Sequence, residues 1–121
     1  MKAVIYHNPR CMKSRQAVEA LRAGNVETEI VEYLKKPPSL EELGKLSKML
    51  GCKPSEMIRK REAVYAELNL SQQKDEKILL QAMAENPILL ERPIIVMSGR
   101  AVIGRPSEKT EEFIKERKHA E

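Results

Sequence analysis

Aromatic residues are nearly missing from this 121-residue chain, which has no Trp, one Phe and three Tyr. A single-stranded nucleic-acid platform of stacked rings is therefore not expected, and no nucleic acid is expected as a direct partner. Cysteine is scarce too. Cys11 and Cys52 stand far apart and have no metal-ligand spacing, so no metal site is expected. In a reducing compartment a structural disulfide is not expected either. No apolar run approaches the ~20 residues that span a bilayer. The apolar stretch after Met1-Lys2 is too short for a signal peptide. A cytoplasmic protein with no membrane partner is the expectation. Repeats, low-complexity segments and flexible linkers are absent. The length fits one domain over residues 1–121, and a monomer is expected. The 22 basic and 18 acidic residues leave a net charge of +4. This mild bias fits an anionic ligand but is shared by many domains.

What is present is ordered patterning. Residues 2–6 read as a short buried strand, and residues 14–23 as an amphipathic helix with Ala17, Val18 and Leu21 on one face and Gly24 as its stop. Residues 28–34 alternate imperfectly and read as a second strand. Strand, helix and strand in so short a span form a βαβ unit with parallel strands and a right-handed crossover. Lys36-Pro37-Pro38 ends the sheet pattern. Ser39 and Glu42 make a capping box for a helix carrying Leu40, Leu43, Leu46 and Leu50 and ending at Gly51. Helical segments follow near 55–58, 62–68 and 72–85, closed by Asn86-Pro87. Residues 93–97 and 101–103 form a hairpin around Ser98-Gly99, with Arg100 left between turn and strand. A last helix covers 107–117, acidic at its start and basic at its end. The predicted architecture is α/β: a thioredoxin-like β-α-β…β-β-α mixed sheet with a helical insertion of about 39–86.

One cysteine occupies a chemically loaded place. In His7-Asn8-Pro9-Arg10-Cys11-Met12-Lys13-Ser14, Cys11 falls between a strand and a helix start. There it meets unpaired backbone N–H groups and the positive end of the helix dipole. Both favour the nucleophilic thiolate, and the same N–H groups bind oxyanions. A free cysteine is more often a small buried hydrophobe, but Asn8, Pro9, Arg10 and Lys13 make this setting polar and basic. Ser14 stands where a C-x-x-C motif would place a second thiol, so the resolving thiol comes from outside or from Cys52. Cys52, after Gly51, reads mainly as packing. His7 supports the thiolate if cationic, or hydrogen-bonds the loop. Ser14 donates to the sulfur or caps its helix. Arg59, Arg92 and Arg105 read individually as surface residues. Arg92 and Arg105, however, precede prolines at the two ends of the hairpin, which brings them together. Paired guanidinium forks suit a tetrahedral oxyanion. Arg92-Pro93 is also a candidate cis bond.

With Tyr33-Leu34, Pro37-Pro38, Ile58-Arg59-Lys60, Asn86-Pro87-Ile88-Leu89, Arg92-Pro93-Ile94 and Arg105-Pro106-Ser107-Glu108 in this order, the chain resembles the glutathione/glutaredoxin-coupled arsenate reductases. The resemblance runs from residue 3 to about residue 110. It implies a thioredoxin-like fold, Cys11 as nucleophile, His7 and Ser14 as its helpers, and Arg59, Arg92 and Arg105 as holders of arsenate or a related oxyanion. No bound cofactor is implied. Glutathione is the implied co-substrate, and glutaredoxin the partner that restores Cys11. Two features depart from the best-known members. Met12-Lys13 replaces small residues, and no longer tail follows the last helix. The same family holds Spx-type regulators that bind RNA polymerase, many with C-x-x-C in this loop. A regulator of that type and a general monothiol redox protein are the alternatives to a cytoplasmic arsenic-resistance oxidoreductase.

Overall fold

Lys2–His7 forms the central strand, β1: its four middle residues are apolar, and Ala3, Ile5, Tyr6 and His7 are buried. The structure, a computed structural model, describes residues 2–119. It falls into two units, Met1–Tyr33 with Arg92–Glu121, and Leu34–Glu91.

In the first unit β1 pairs in parallel with β2 (Glu27–Glu32), in a register that sets Lys2 opposite Glu27 and His7 opposite Glu32. On its other side β1 pairs antiparallel with β3 (Ile94–Met97), Tyr6 opposite Ile94. β3 turns back into β4 (Arg100–Ile103), giving the order β2-β1-β3-β4. The parallel β1–β2 pair requires a crossover, and α1 (Met12–Ala23) provides it. Ala17, Val18 and Leu21 of α1 pack with Ala3 and Ile5 of β1 and with Phe113 and Ile114 of the last helix, Ser107–His119. This is the expected thioredoxin-like mixed sheet.

Several boundaries differ from the sequence reading. α1 begins at Met12, two residues before the expected start, because the Cys11 carbonyl already accepts the first helical hydrogen bond from Arg15 N–H at 3.0 Å. β2 ends at Glu32, and Tyr33 is buried beyond it. Arg100 belongs to β4, opposite Met97. The turn is Ser98-Gly99 alone, both with positive φ (51° and 75°), as a two-residue hairpin turn requires.

In the second unit, α2 (Leu40–Leu50) has Ser39 as N-cap, whose Oγ accepts from Glu42 N–H at 3.1 Å. Gly51 closes α2 in the left-handed region, φ 68°. The segment expected near 55–58 is a 3-10 turn, Pro54–Glu56, and that near 62–68 is a short helix, α3 (Ala63–Glu67). The long segment expected from 72 begins only at Glu76. Asp75 takes Lys77 N–H at 3.0 Å and fixes the start of α4 (Glu76–Glu85). Leu43 and Leu46 of α2 and Leu79 and Met83 of α4 are buried where the two helices pack. A bridge between Ile58 and Leu90 ties the unit's end to its middle. The last helix of the chain, Ser107–His119, is α5.

Candidate active site

A Pro in the loop after β1 stops the strand, and Asn8 before it organises the turn. Asn8 Oδ1 accepts Arg10 N–H and Asn8 O accepts Cys11 N–H, both at 3.0 Å, an arrangement that suits Asn-Pro. From the helix side, Arg15 Nη1 donates to Pro9 O at 2.7 Å. Cys11 is thereby held as the N-cap of α1 in extended conformation (φ −94°, ψ 121°), and its side chain makes no capping bond. The sulfur is half-buried and free of any disulfide. Arg105 Nη2 donates to it at 3.4 Å.

Ser14 and His7 form a second layer beneath this loop. Ser14 is fully buried. Its Oγ accepts Asn8 N–H at 3.1 Å and shares a 2.6 Å hydrogen bond with His7 Nδ1. Neither role foreseen for Ser14 is the one seen: it caps no helix, since α1 starts at Met12, and it makes no bond to Cys11 Sγ. Burial lowers the His7 pKa below its ordinary 6.5; Glu32, opposite it in register, pulls it back up, and Arg15 pushes it further down. The imidazole is therefore neutral at neutral pH. The expectation of a cationic His7 beside the thiol gives way to the other one, a strand-end histidine bonded to its loop.

The hairpin delivers two arginines. Arg105 Nε donates to Arg92 O at 2.7 Å, and Gly104 N–H donates to Pro93 O at 2.8 Å, so the hairpin's ends lie side by side. Arg92-Pro93, the candidate cis bond, is cis; Arg105-Pro106, which was not a candidate, is cis as well. Arg92 Nε and Nη1 are buried with no hydrogen-bond partner. Buried charge without a partner is costly, and a tetrahedral anion supplies the acceptors a guanidinium lacks. Gly104 makes this closeness possible: a Cβ there would lie 2.3 Å from Thr110 Oγ1 and 3.1 Å from Pro93 Cγ.

Arg59 lies in the other unit. Its Nη1 bonds Glu62 and its Nε lies 3.7 Å from Glu91 Oε1. Arg59 N–H donates to Leu89 O at 2.6 Å, which fixes its backbone. Cys52 also belongs there. Burial, then the Glu56 carboxylate, push its thiol pKa up, so it stays protonated. Sequence reasoning missed the loop brace from Arg15, the turn role of Asn8 and the carboxylates on Arg59. Asn-Pro and the three-residue spacing of Arg59 and Glu62 were the available signals. Among the described residues no group of three or more His, Cys, Asp or Glu could hold a metal ion, and no helix is long and apolar enough to cross a membrane.

The same features can be set beside known proteins. The chain is 46% identical over 112 residues to the Escherichia coli K12 uncharacterized protein YfgD, covering 91% of this chain and 94% of that protein. It is 43% identical over 109 residues to an arsenate reductase of Neisseria meningitidis, covering 88% and 93%. The solved arsenate reductase of Vibrio cholerae superposes with a TM-score of 0.89 at 44% identity, over 93% of this chain and 97% of that one. The ArsC family model matches residues 6–113, which include Cys11, both hairpin arginines and the cis prolines after them. The chain belongs to the ArsC family.

Proposed function

We propose that this chain is a cytoplasmic arsenate reductase that uses Cys11 as its nucleophile and glutathione with glutaredoxin as its reductant. The observation that carries the proposal is the pairing of a half-buried thiol with two hairpin arginines: one donates to the sulfur, and the other has buried, unpartnered nitrogens. Relatives bearing the name arsenate reductase support the substrate. The part of Arg59 as a third anion contact rests on the resemblance.

In this mechanism arsenate satisfies Arg92 Nε and Nη1, and Arg105 directs one fork to the anion while Arg92 O holds its Nε. The Cys11 thiolate attacks arsenic, an S–As bond forms and water leaves. A glutathione thiolate then attacks Cys11 Sγ. The S–As bond breaks, its electron pair passes to arsenic, and arsenic falls from the pentavalent to the trivalent state. Arsenite departs and Cys11 is left as a mixed disulfide with glutathione. Glutaredoxin restores the thiol by exchange. The protein contributes positioning and fixed positive charge. The buried His7–Ser14 pair acts through the loop: Ser14 holds Asn8 N–H, and Asn8 holds Cys11 N–H.

The test is NADPH oxidation coupled through glutathione reductase, glutaredoxin and glutathione. Arsenate-dependent turnover is expected, lost in Cys11→Ser and largely kept in Cys52→Ser. Turnover that does not depend on arsenate would reject the proposal in favour of a general monothiol redox protein. An inactive Cys52→Ser would reject glutathione as the resolving thiol.

A further inference from the structure

The seam between α1 and α5 carries a trough that the chemistry above leaves unused. Its head is a cavity of about 470 Å³ whose lining includes Met12, Arg15, Ala20 and Glu111. It runs on into a second cavity of about 390 Å³ that shares Ala20, Ala23 and Glu111 with the first and adds Ile114 and Lys115. Each volume lies within the roughly 300–1,000 Å³ of small-molecule sites. The head adjoins the nucleophile: Met12 follows Cys11 in the chain and is 62% exposed, and Arg15 N–H holds the Cys11 carbonyl.

The charges along the trough give that ligand a pattern. Arg15 spends only Nη1, on Pro9 O. Glu111 and Lys115 lie one turn apart on α5, and neither makes a hydrogen bond or ion pair within the described residues. Side chains so spaced have Cβ atoms about 5–6 Å apart and can receive an ammonium and a carboxylate carried on one carbon. The other charges are engaged: Glu19 pairs with Arg22 at 3.3 Å, and Lys118 Nζ donates to Gly24 O at 2.7 Å. A fitting ligand thus has a carboxylate near Arg15, an amino-acid zwitterion at Glu111 and Lys115, and a thiol that reaches Cys11.

We propose that the α1–α5 trough is the seat of glutathione, with its glycine carboxylate on Arg15 and its γ-glutamyl zwitterion between Glu111 and Lys115. This deepens the reductase proposal and rests on it for the identity of the thiol. The test needs no arsenate. In a Cys52→Ser background, Cys11 thiolate attacks one sulfur of glutathione disulfide; that S–S bond breaks, a mixed disulfide forms on Cys11, and a glutathione thiolate leaves. Mass spectrometry follows the rate. The comparison reagent is the disulfide of N-acetyl-Cys-Gly, which has the same net charge and the glycine carboxylates but no γ-glutamyl zwitterion. Glu111→Lys and Lys115→Glu, both at exposed positions, are each expected to slow exchange with glutathione disulfide about fivefold, near the upper end for exposed charge pairs. Exchange with the comparison disulfide stays within about twofold. Wild-type rates with glutathione disulfide in both variants, or equal slowing with both reagents, would overturn the seat. Because arsenate is absent, a failed reductase assay rejects the enzyme proposal without touching this result, and an unchanged exchange rate rejects the seat while the reductase proposal stands.

Discussion

Ser14 shows how a residue's role depends on neighbours far along the chain. Its place after Cys11 points to a cap or a sulfur donor, yet its hydroxyl is consumed by Asn8 N–H and His7 Nδ1. The reason is that β1 runs straight into the loop, so His7 lands beneath α1; no spacing in the sequence states this. Ser14→Ala leaves the buried His7 Nδ1 and the half-buried Asn8 N–H unpaired and is expected to cost about 1–3 kcal/mol of stability in urea unfolding. His7 adds a pH signature. Its folded-state pKa lies below 6.5, so the unfolded chain takes up the proton first as pH falls. The stabilisation by neutral His7 is complete above the unfolded pKa and is lost as pH falls through the folded one. Unfolding followed from pH 8 to pH 5 is expected to show wild type weakening below the ordinary histidine range and His7→Gln weakening less. At the same scale, Arg105→Ala removes the donor to Cys11 Sγ and half of the proposed anion clamp. By the worth of a hydrogen bond to a charged group, kcat/KM for arsenate is expected to fall about ten- to hundredfold, with the fold unchanged by circular dichroism.

At the scale of elements, most of the architecture was legible because period and punctuation agreed. Leu43 and Leu46 at helical spacing behind Ser39 gave α2, and Ser98-Gly99 between apolar runs gave the hairpin. Helix ends were less legible where side chains outside the helix decide them. α1 starts at Met12 because Asn8 and Arg15 build a turn around Cys11, its N-cap, and α4 starts late because Asp75 caps it. The closeness of α5 to the hairpin could not be read at all. It depends on Gly104, whose missing side chain lets Thr110 Oγ1 and Pro93 approach. Gly104 has no positive φ to advertise it; only the packing requires it. Because Thr110 is buried and β-branched, it cannot swing aside cheaply. Gly104→Ala is expected to cost about 1–3 kcal/mol in urea unfolding, and to lower arsenate turnover more than a surface change of equal stability cost, since Arg105 is the next residue.

For the whole molecule, stability and the proposed function oppose each other at Arg92. Among candidate site residues, the pairing of Arg92 with Arg105 was legible from their positions before two prolines, but the burial of the Arg92 nitrogens was not, because it arises from the assembled unit. A domain of this size is only marginally stable, so two buried, unpartnered guanidinium nitrogens on a half-buried side chain are a standing cost. Arg92→Met keeps the length and apolar stem while removing the charge, and such replacements are often neutral or stabilising. Without anion, Arg92→Met is therefore expected to melt at or above the wild-type temperature, by about 4 °C for each kcal/mol gained. On the proposed function, arsenate, or phosphate of nearly the same shape and charge, is expected to bind the native state and raise the wild-type Tm with concentration, while Arg92→Met barely responds and loses turnover. Differential scanning fluorimetry across an arsenate series separates the two curves. A variant less stable than wild type without anion, yet still stabilised by arsenate, would mean that Arg92 is a structural residue and that the oxyanion is held elsewhere.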